Sequence, residues 1–174
     1  MKRVMIIGGA GSGKSTLARQ IGEKTGLPVI HIDPMYWNAG WVQRPQEETA
    51  ALALQAAEGE EWVFDGNNSA TLGERLARAD TLIFLDIGTM RRLWRIFLRI
   101  WHHYGQTRPD MAEGCPERFD WAFLKWAAGY RRRGRLGALR IIGSPPPHLK
   151  VVHLRSPAAV RHFLAEIPDN RKKL

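Results

Sequence analysis

One cysteine, Cys115, stands among 174 residues, so no disulfide can form within this chain. With no export pattern beside it, that points to a reducing compartment, and a cytoplasmic protein is expected. No apolar run approaches the roughly 20 residues that a membrane-spanning helix needs, so no membrane partner is expected. The opening "MKRVMIIGGAG" is charged and then apolar, but it breaks into glycine far too early for a signal peptide and reads as a first β-strand. Internal repeats, low-complexity tracts and interdomain linkers are missing, which leaves residues 1–174 as one domain. Acids are also in short supply. The 26 Lys and Arg outnumber 17 Asp and Glu, for a formal net charge of +9. The imbalance is local, since residues 91–140 hold twelve basic and four acidic side chains, +8 of that total. A localised basic excess suits a nucleic acid, and equally a site that neutralises a polyphosphate. No helix-turn-helix or aromatic RNA-binding motif accompanies it.

What the chain does have is a regular alternation of short apolar runs with helical patterns. The runs at 3–8 (RVMIIG), 27–33 (LPVIHID), 61–66 (EWVFDG), 80–87 (DTLIFLDI) and 149–156 (LKVVHLRS) read as buried strands. Periodicity predicts helices over 13–26, 45–60, 69–79, 89–105, 121–143 and 156–167, with Ser69 capping the third and Ser156 and Pro157 opening the last. Residues 34–46 and 106–120 read as loops, and 169–174 (DNRKKL) as a basic tail. Five strands alternating with helices imply an α/β fold, a parallel sheet covered on both faces.

The strongest chemical signal is Gly8-Gly9-Ala10-Gly11-Ser12-Gly13-Lys14-Ser15, which satisfies G-x-x-x-x-G-K-[ST] between the first strand and the first helix. Glycine allows backbone angles that turn successive N–H groups toward one point, and its missing side chain lets phosphate oxygens approach. The helix N-terminus adds partial positive charge. Lys14 is expected on the β- and γ-phosphates and Ser15 on Mg²⁺, with Thr16 as a helper. ATP and Mg²⁺ are therefore the expected cofactors.

This loop, followed by "VFDGNNS" at the third strand and "DTLIFLD" at the fourth, resembles the adenylate-kinase-like family of small P-loop kinases. "HIDPMYWNAGW", "RPDMAEGCPERFD" and "VVHLRSPAAVRHFL" are similar to the group within it named for DNA topology modulation. The resemblance implies a three-layer α/β/α P-loop fold with a five-stranded parallel sheet in the order 2-3-1-4-5. It also implies an acceptor-binding insert over 34–60, a mobile lid over 102–120, and transfer of the γ-phosphate of ATP to a small molecule.

The resemblance places Asp65, at the end of the third strand, on water bound to Mg²⁺, where a magnesium ion needs carboxylate support beyond its direct ligands. It places Asp33, at the end of the second strand, on the acceptor hydroxyl, whose proton a carboxylate can take; an Asx turn before Pro34 explains Asp33 equally. Arg91, Arg95 and Arg99 share one face of the 89–105 helix, and Leu93, Trp94, Phe97, Leu98 and Trp101 are expected to pack on the sheet. The family's R-x-x-x-R matches Arg95 and Arg99, the favoured pair, as well as Arg91 and Arg95. Arg108 and one of Arg131–Arg133, with Arg132 as the representative, are expected to neutralise the transferring group, with Gly105 and Gly114 as hinges. Arg155, after the last strand, corresponds to the family's adenine border, although capping explains that junction as well.

The acceptor is not legible. The family's Asp-Gly-Phe-Pro-Arg reads here as Asp65-Gly66-Asn67-Asn68-Ser69, so its phosphate-clamping arginine is missing, with Arg44 and Arg75 as candidate substitutes. Asn67, Trp37 and Trp41 suggest a pocket of amide and aromatic groups. Three functions stay open: a kinase for a nucleoside, nucleotide or other hydroxyl metabolite, an NTP-hydrolysing switch, and a DNA-binding protein tuned by ATP. A monomer or homodimer suits each.

Overall fold

Side-chain alternation along the first strand sorts the whole core. In β1 (Arg3–Gly8), Val4 and Ile6 turn to one face of the sheet and Met5 and Ile7 to the other, as the two-residue period of a strand requires. The computed structural model describes residues 1–169; the basic tail expected at 169–174 lies, after Asp169, outside the described residues. Four more strands pair in parallel with or beyond β1: β2 (Val29–His31), β5 (Trp62–Asp65), β6 (Thr81–Leu85) and β7 (Lys150–Leu154). The order is β2-β5-β1-β6-β7, and β3 (Trp37–Asn38) and β4 (Val42–Gln43) form a separate antiparallel hairpin. With those two left out of the count, the order is 2-3-1-4-5.

Helices α1 (Lys14–Thr25) and α8 (Pro157–Glu166) cover the Val4 face, where Leu17, Ala18 and Ile21 meet Ile6, Val63 and Ile83. Helices α3 (Gln46–Ala56), α4 (Leu72–Arg78) and α7 (Gly134–Gly143) cover the other, through Ala53, Leu76 and Ala138. Every residue of β5 and β6 is buried. Each large apolar side chain so buried stabilises the fold by roughly 1.5–3 kcal/mol, so these strands anchor the sheet. No helix among the described residues is long and apolar enough to cross a membrane.

Several local expectations give way. The 27–33 strand stops at His31, because the Ile32 N–H donates to Asp65 O and the Ile32 carbonyl then accepts from Met35 and Tyr36. Asp33 therefore opens a one-turn helix, α2 (Asp33–Tyr36), rather than closing a strand, and Pro34 is tolerated in that first turn. Thr71, not Ser69, precedes α4, and its hydroxyl accepts from Arg75 Nε instead of capping the helix. The 121–143 helix is broken into α6 (Trp121–Ala128), a 3-10 turn (Gly129–Arg132) and α7, since Arg133 sits at φ −120°, ψ −85°, outside the helical region.

Helix α5 (Thr89–His103) corrects the sequence reading most. Its buried residues are Arg92, Ile96 and Ile100, whereas Trp94, Phe97 and Trp101 are 59%, 45% and 73% exposed. Those rings stack on one another along the outer face, with centroids 5.9 and 6.5 Å apart. The helix rests on α6 and the glycine loop rather than on the sheet, and Ile96, Ile100, Ala127 and Ala10 form a small third core there. Arg92 enters that interior because two backbone carbonyls receive its guanidinium.

Candidate active site

The central strand delivers the glycine loop to the carboxyl edge of the sheet, where α1 begins without any side-chain cap. Its first-turn N–H groups thus remain for a ligand. Gly11 (φ +74°) and Gly13 (φ +99°) occupy the left-handed region, and a Cβ on Gly11 would lie 2.4 Å from the Arg92 carbonyl oxygen. The loop is braced from three sides. Gly8 donates its N–H to Asn67 Oδ1 (3.0 Å), while Asn67 Nδ2 donates back to the Gly8 carbonyl (2.8 Å). Arg92 Nη1 donates to Ala10 O (3.0 Å) and Arg95 Nη1 to Ser12 O (2.9 Å). The Arg92 guanidinium also sits 5.0 Å from the Tyr130 ring centre, and burial pushes the Tyr130 phenol up to about 12. Lys14 has no hydrogen-bond or ion-pair partner among the described residues, and its charge is felt by Asp33.

Asp65 is buried at the end of β5, and its Oδ2 lies 2.9 Å from Nδ1 of His31, its register partner on β2. Its Oδ1 and the Ser12 hydroxyl oxygen are buried without a partner among the described residues. An unpaired buried polar atom costs about 1–3 kcal/mol. Two of them beside a glycine loop fit a magnesium-bound triphosphate and its waters. Among the described residues no group of three His, Cys, Asp or Glu side chains is placed to hold a metal ion. The Ser15 hydroxyl lies near enough to Asp110 to help stabilise its carboxylate. Thr16 is exposed.

Asp33 lines the same cleft, which measures about 1710 Å³ and is walled by residues 10–17, by α2 and by parts of α5 and the 102–120 segment. Asp33 is exposed by surface area, but the crowded cleft walls displace part of the bulk water that would solvate its charge. This desolvation pushes its carboxyl above the usual range, against the pull of Lys14 and with Asp65 adding to the push.

Of the candidate arginines, Arg95, Arg99 and Arg108 line the cleft, and Arg91, Arg132 and Arg155 are exposed and do not. Arg133, next to Arg132, lines it instead. Arg99 Nε lies 3.1 Å from Glu117 Oε1 without the alignment of a hydrogen bond, and burial lowers its basicity. Arg108 donates Nε to the same oxygen (2.6 Å) and Nη1 to Asp110 Oδ2 (2.7 Å). Both acids are buried. Burial alone would raise Asp110, but Arg108 and Ser15 hold it below the usual carboxylate range.

On the acceptor side, Tyr36, Trp37 and Trp41 meet edge to face, with centroids 4.9 and 5.5 Å apart. Trp41 has φ +63°, uncommon for a large side chain, and its Nε1 donates to Pro116 O (2.9 Å). Gly40 N–H donates to Gly114 O (2.8 Å) and Cys115 Sγ to Asn38 O (3.2 Å), so this hairpin is stitched to the 102–120 segment. The two substitute arginines serve the backbone. Arg75, fully buried, donates to the carbonyls of Gly66, Asn67, Asn68 and Thr71, and burial lowers it to about 10. Arg44 Nε donates to Met35 O. Arg75→Met would leave those four carbonyls without their donor, and a loss of about 3 kcal/mol or more is expected from the urea midpoint. A change under about 1 kcal/mol would contradict Arg75 as the clamp of this loop.

Sequence reasoning passed over His31 and missed Arg92, Tyr130, Asp110 and Glu117. Two acids inside a basic stretch were the available signal for the last pair. Asn67, expected in the acceptor pocket, lines the cleft and also grips the glycine loop.

No protein-family model matches the chain, and no curated protein matches it in sequence. Among solved structures it is similar to shikimate kinase from Acinetobacter baumannii in complex with shikimate (TM-score 0.61, 14% identity, covering 96% of this chain and 90% of that one). It is also similar to deoxyadenosine kinase from M. mycoides with bound dATP (TM-score 0.57, 14% identity, 94% and 97%). A third is shikimate kinase from Bacteroides thetaiotaomicron (TM-score 0.57, 15% identity, 99% and 99%). The chain thus has the α/β fold of P-loop kinases.

Proposed function

We propose that this chain is a phosphotransferase that moves the γ-phosphoryl group of magnesium-bound ATP to the hydroxyl of a small acceptor. One observation carries the reading: the glycine loop with Lys14 and the carboxylate of Asp33 share one cleft, close enough for Asp33 to feel the lysine charge. The loop N–H groups and Lys14 bind the triphosphate, and Ser15, with Asp65 through water, would hold a magnesium ion, which would supply neutralisation of the phosphate charge. Arg95, Arg99 and Arg108 balance charge on the equatorial oxygens, while Asp33 orients the acceptor hydroxyl. The acceptor oxygen bonds to the γ-phosphorus as the bond to the β–γ bridging oxygen breaks; ADP leaves, and the hydroxyl proton passes to Asp33 and then to solvent. Residues 34–60 are the acceptor insert and 102–120 the lid in this scheme. Cytoplasmic action fits the donor ATP and the free, buried thiol of Cys115.

The test is ADP release with magnesium and ATP across a library of nucleosides, nucleotides and sugars. Turnover with ATP alone is expected to be slow, to rise at least about tenfold with one acceptor, and to vanish with EDTA. Turnover indifferent to every acceptor would favour an NTP-hydrolysing switch, and tight duplex binding with a steep salt dependence would favour a DNA-binding protein.

A further inference from the structure

We infer that the acceptor is an uncharged hydroxyl compound with a planar ring, of nucleoside type, rather than one carrying its own phosphate or carboxylate. The inference rests on the phosphotransferase reading, but its grounds lie in how the acceptor half distributes charge.

An anionic acceptor needs a free cation, most often a guanidinium, whose planar fork matches phosphate and carboxylate. The cations nearest this half are engaged. Arg75 is fully buried, with its donors on four backbone carbonyls. Arg44 donates to Met35 O and has Nη1 3.7 Å from Glu48. Arg108, held between Glu117 and Asp110, is already assigned to the transferring phosphoryl group, and Arg19, which also lines the cleft, reaches Asp110 at 3.9 Å. The exception is Arg118, which lines the cleft, exposed, with its guanidinium 5.8 Å from the centre of the Trp41 ring; it is the cation that an anionic acceptor would have to use.

The cations of this half face carboxylates. Asp33 and Asp110 both line the cleft, Asp110 is paired with Arg108, and an anion beside Asp33 would meet Asp65 and Asp110 as well as the charges of Lys14 and Arg108. The rest of the wall is aromatic and amide. Trp37 and Trp41 present rings, and Gln43, Gln46 and Asn68 present side-chain amides. Flat apolar surfaces with a few donors and acceptors suit a heterocyclic base, and the strained backbone of Trp41, pinned by Pro116, fixes one of those surfaces before any ligand arrives.

Matched probes test this: the common nucleosides, their monophosphates, and shikimate as a hydroxy acid, each with magnesium and ATP. One nucleoside is expected to show kcat/KM at least about 100-fold above its own monophosphate and above shikimate, because a phosphate would enter without a partner. A monophosphate or shikimate used as well as the best nucleoside would overturn the inference while leaving phosphoryl transfer standing. Calorimetry with a non-hydrolysable ATP analogue separates the two ideas. Nucleoside binding without any transfer would retire the phosphotransferase reading and support the acceptor class, and no binding of any nucleoside would overturn the acceptor class. Gln46→Arg adds a guanidinium to the wall and is expected to improve the monophosphate relative to the nucleoside by about tenfold or more; no change would count against this wall as the acceptor site. Arg118→Ala is expected to weaken both alike, and a selective loss of the monophosphate would assign Arg118 to an anion and overturn the inference.

Discussion

Lys14→Ala is expected to lower phosphoryl transfer by about a thousandfold or more while leaving the fold intact, the loss of a directed charge on the transferring group being worth about 4 kcal/mol. The fold is expected to survive because the ammonium group holds nothing together. It has no hydrogen-bond or ion-pair partner among the described residues, and Lys14 opens α1, where alanine is an excellent helix former. The loop beneath it is braced by Asn67, Arg92 and Arg95, none of which depends on the lysine. Circular dichroism and a thermal melt within a few degrees of the parent, together with lost ADP formation, would bear this out. Undiminished turnover would remove the assigned role of the cradle.

The second large effect is expected at Asp33. Asp33→Asn keeps the shape and removes the base, and transfer is expected to fall by about a hundredfold to ten-thousandfold. The pH profile makes the test specific. The carboxyl must be ionised to take the proton, and its pKa in the folded protein is raised, mainly by desolvation among the cleft walls. Activity should therefore fall on the acid side, through a limb lying above the ordinary aspartate value near 3.8, and that limb should be missing from the residual activity of the asparagine variant. The linkage runs the opposite way for stability. A raised pKa favours the fold at low pH, and that stabilisation is lost as pH rises through the folded value, so at neutral pH the ionised carboxylate is a burden. Asp33→Asn is expected to be no less stable than the parent at neutral pH. Activity within tenfold of the parent, or an unchanged acid limb, would sink the assignment.

These expectations differ in how far the sequence carried them. The glycine loop, the five parallel strands and the cap at Ser156 are local patterns that the structure has, although the edge strands β2 and β7 are only half-buried and β2 is shorter than its pattern. The same reasoning turned α5 the wrong way. Its apolar residues make two stripes, Ile96 with Ile100 and Trp94 with Phe97 and Trp101, and periodicity gives no sign of which faces inward. Arg75 looked free to bind a ligand because nothing in its neighbourhood along the chain shows the carbonyls that surround it in space.

The order of amino acids by itself determined the glycine loop between β1 and α1, because its glycine angles and the strand and helix beside it are decided within a few residues along the chain. Only the tertiary structure decided the partners of the charges. Arg92 finds its acceptor on Ala10, 82 positions away, and Asn67 grips Gly8 from 59 positions away. A guanidinium or an amide has no fixed role until it is known which acceptors the fold brings within reach and how far water is kept out, and neither can be read from the residues beside it.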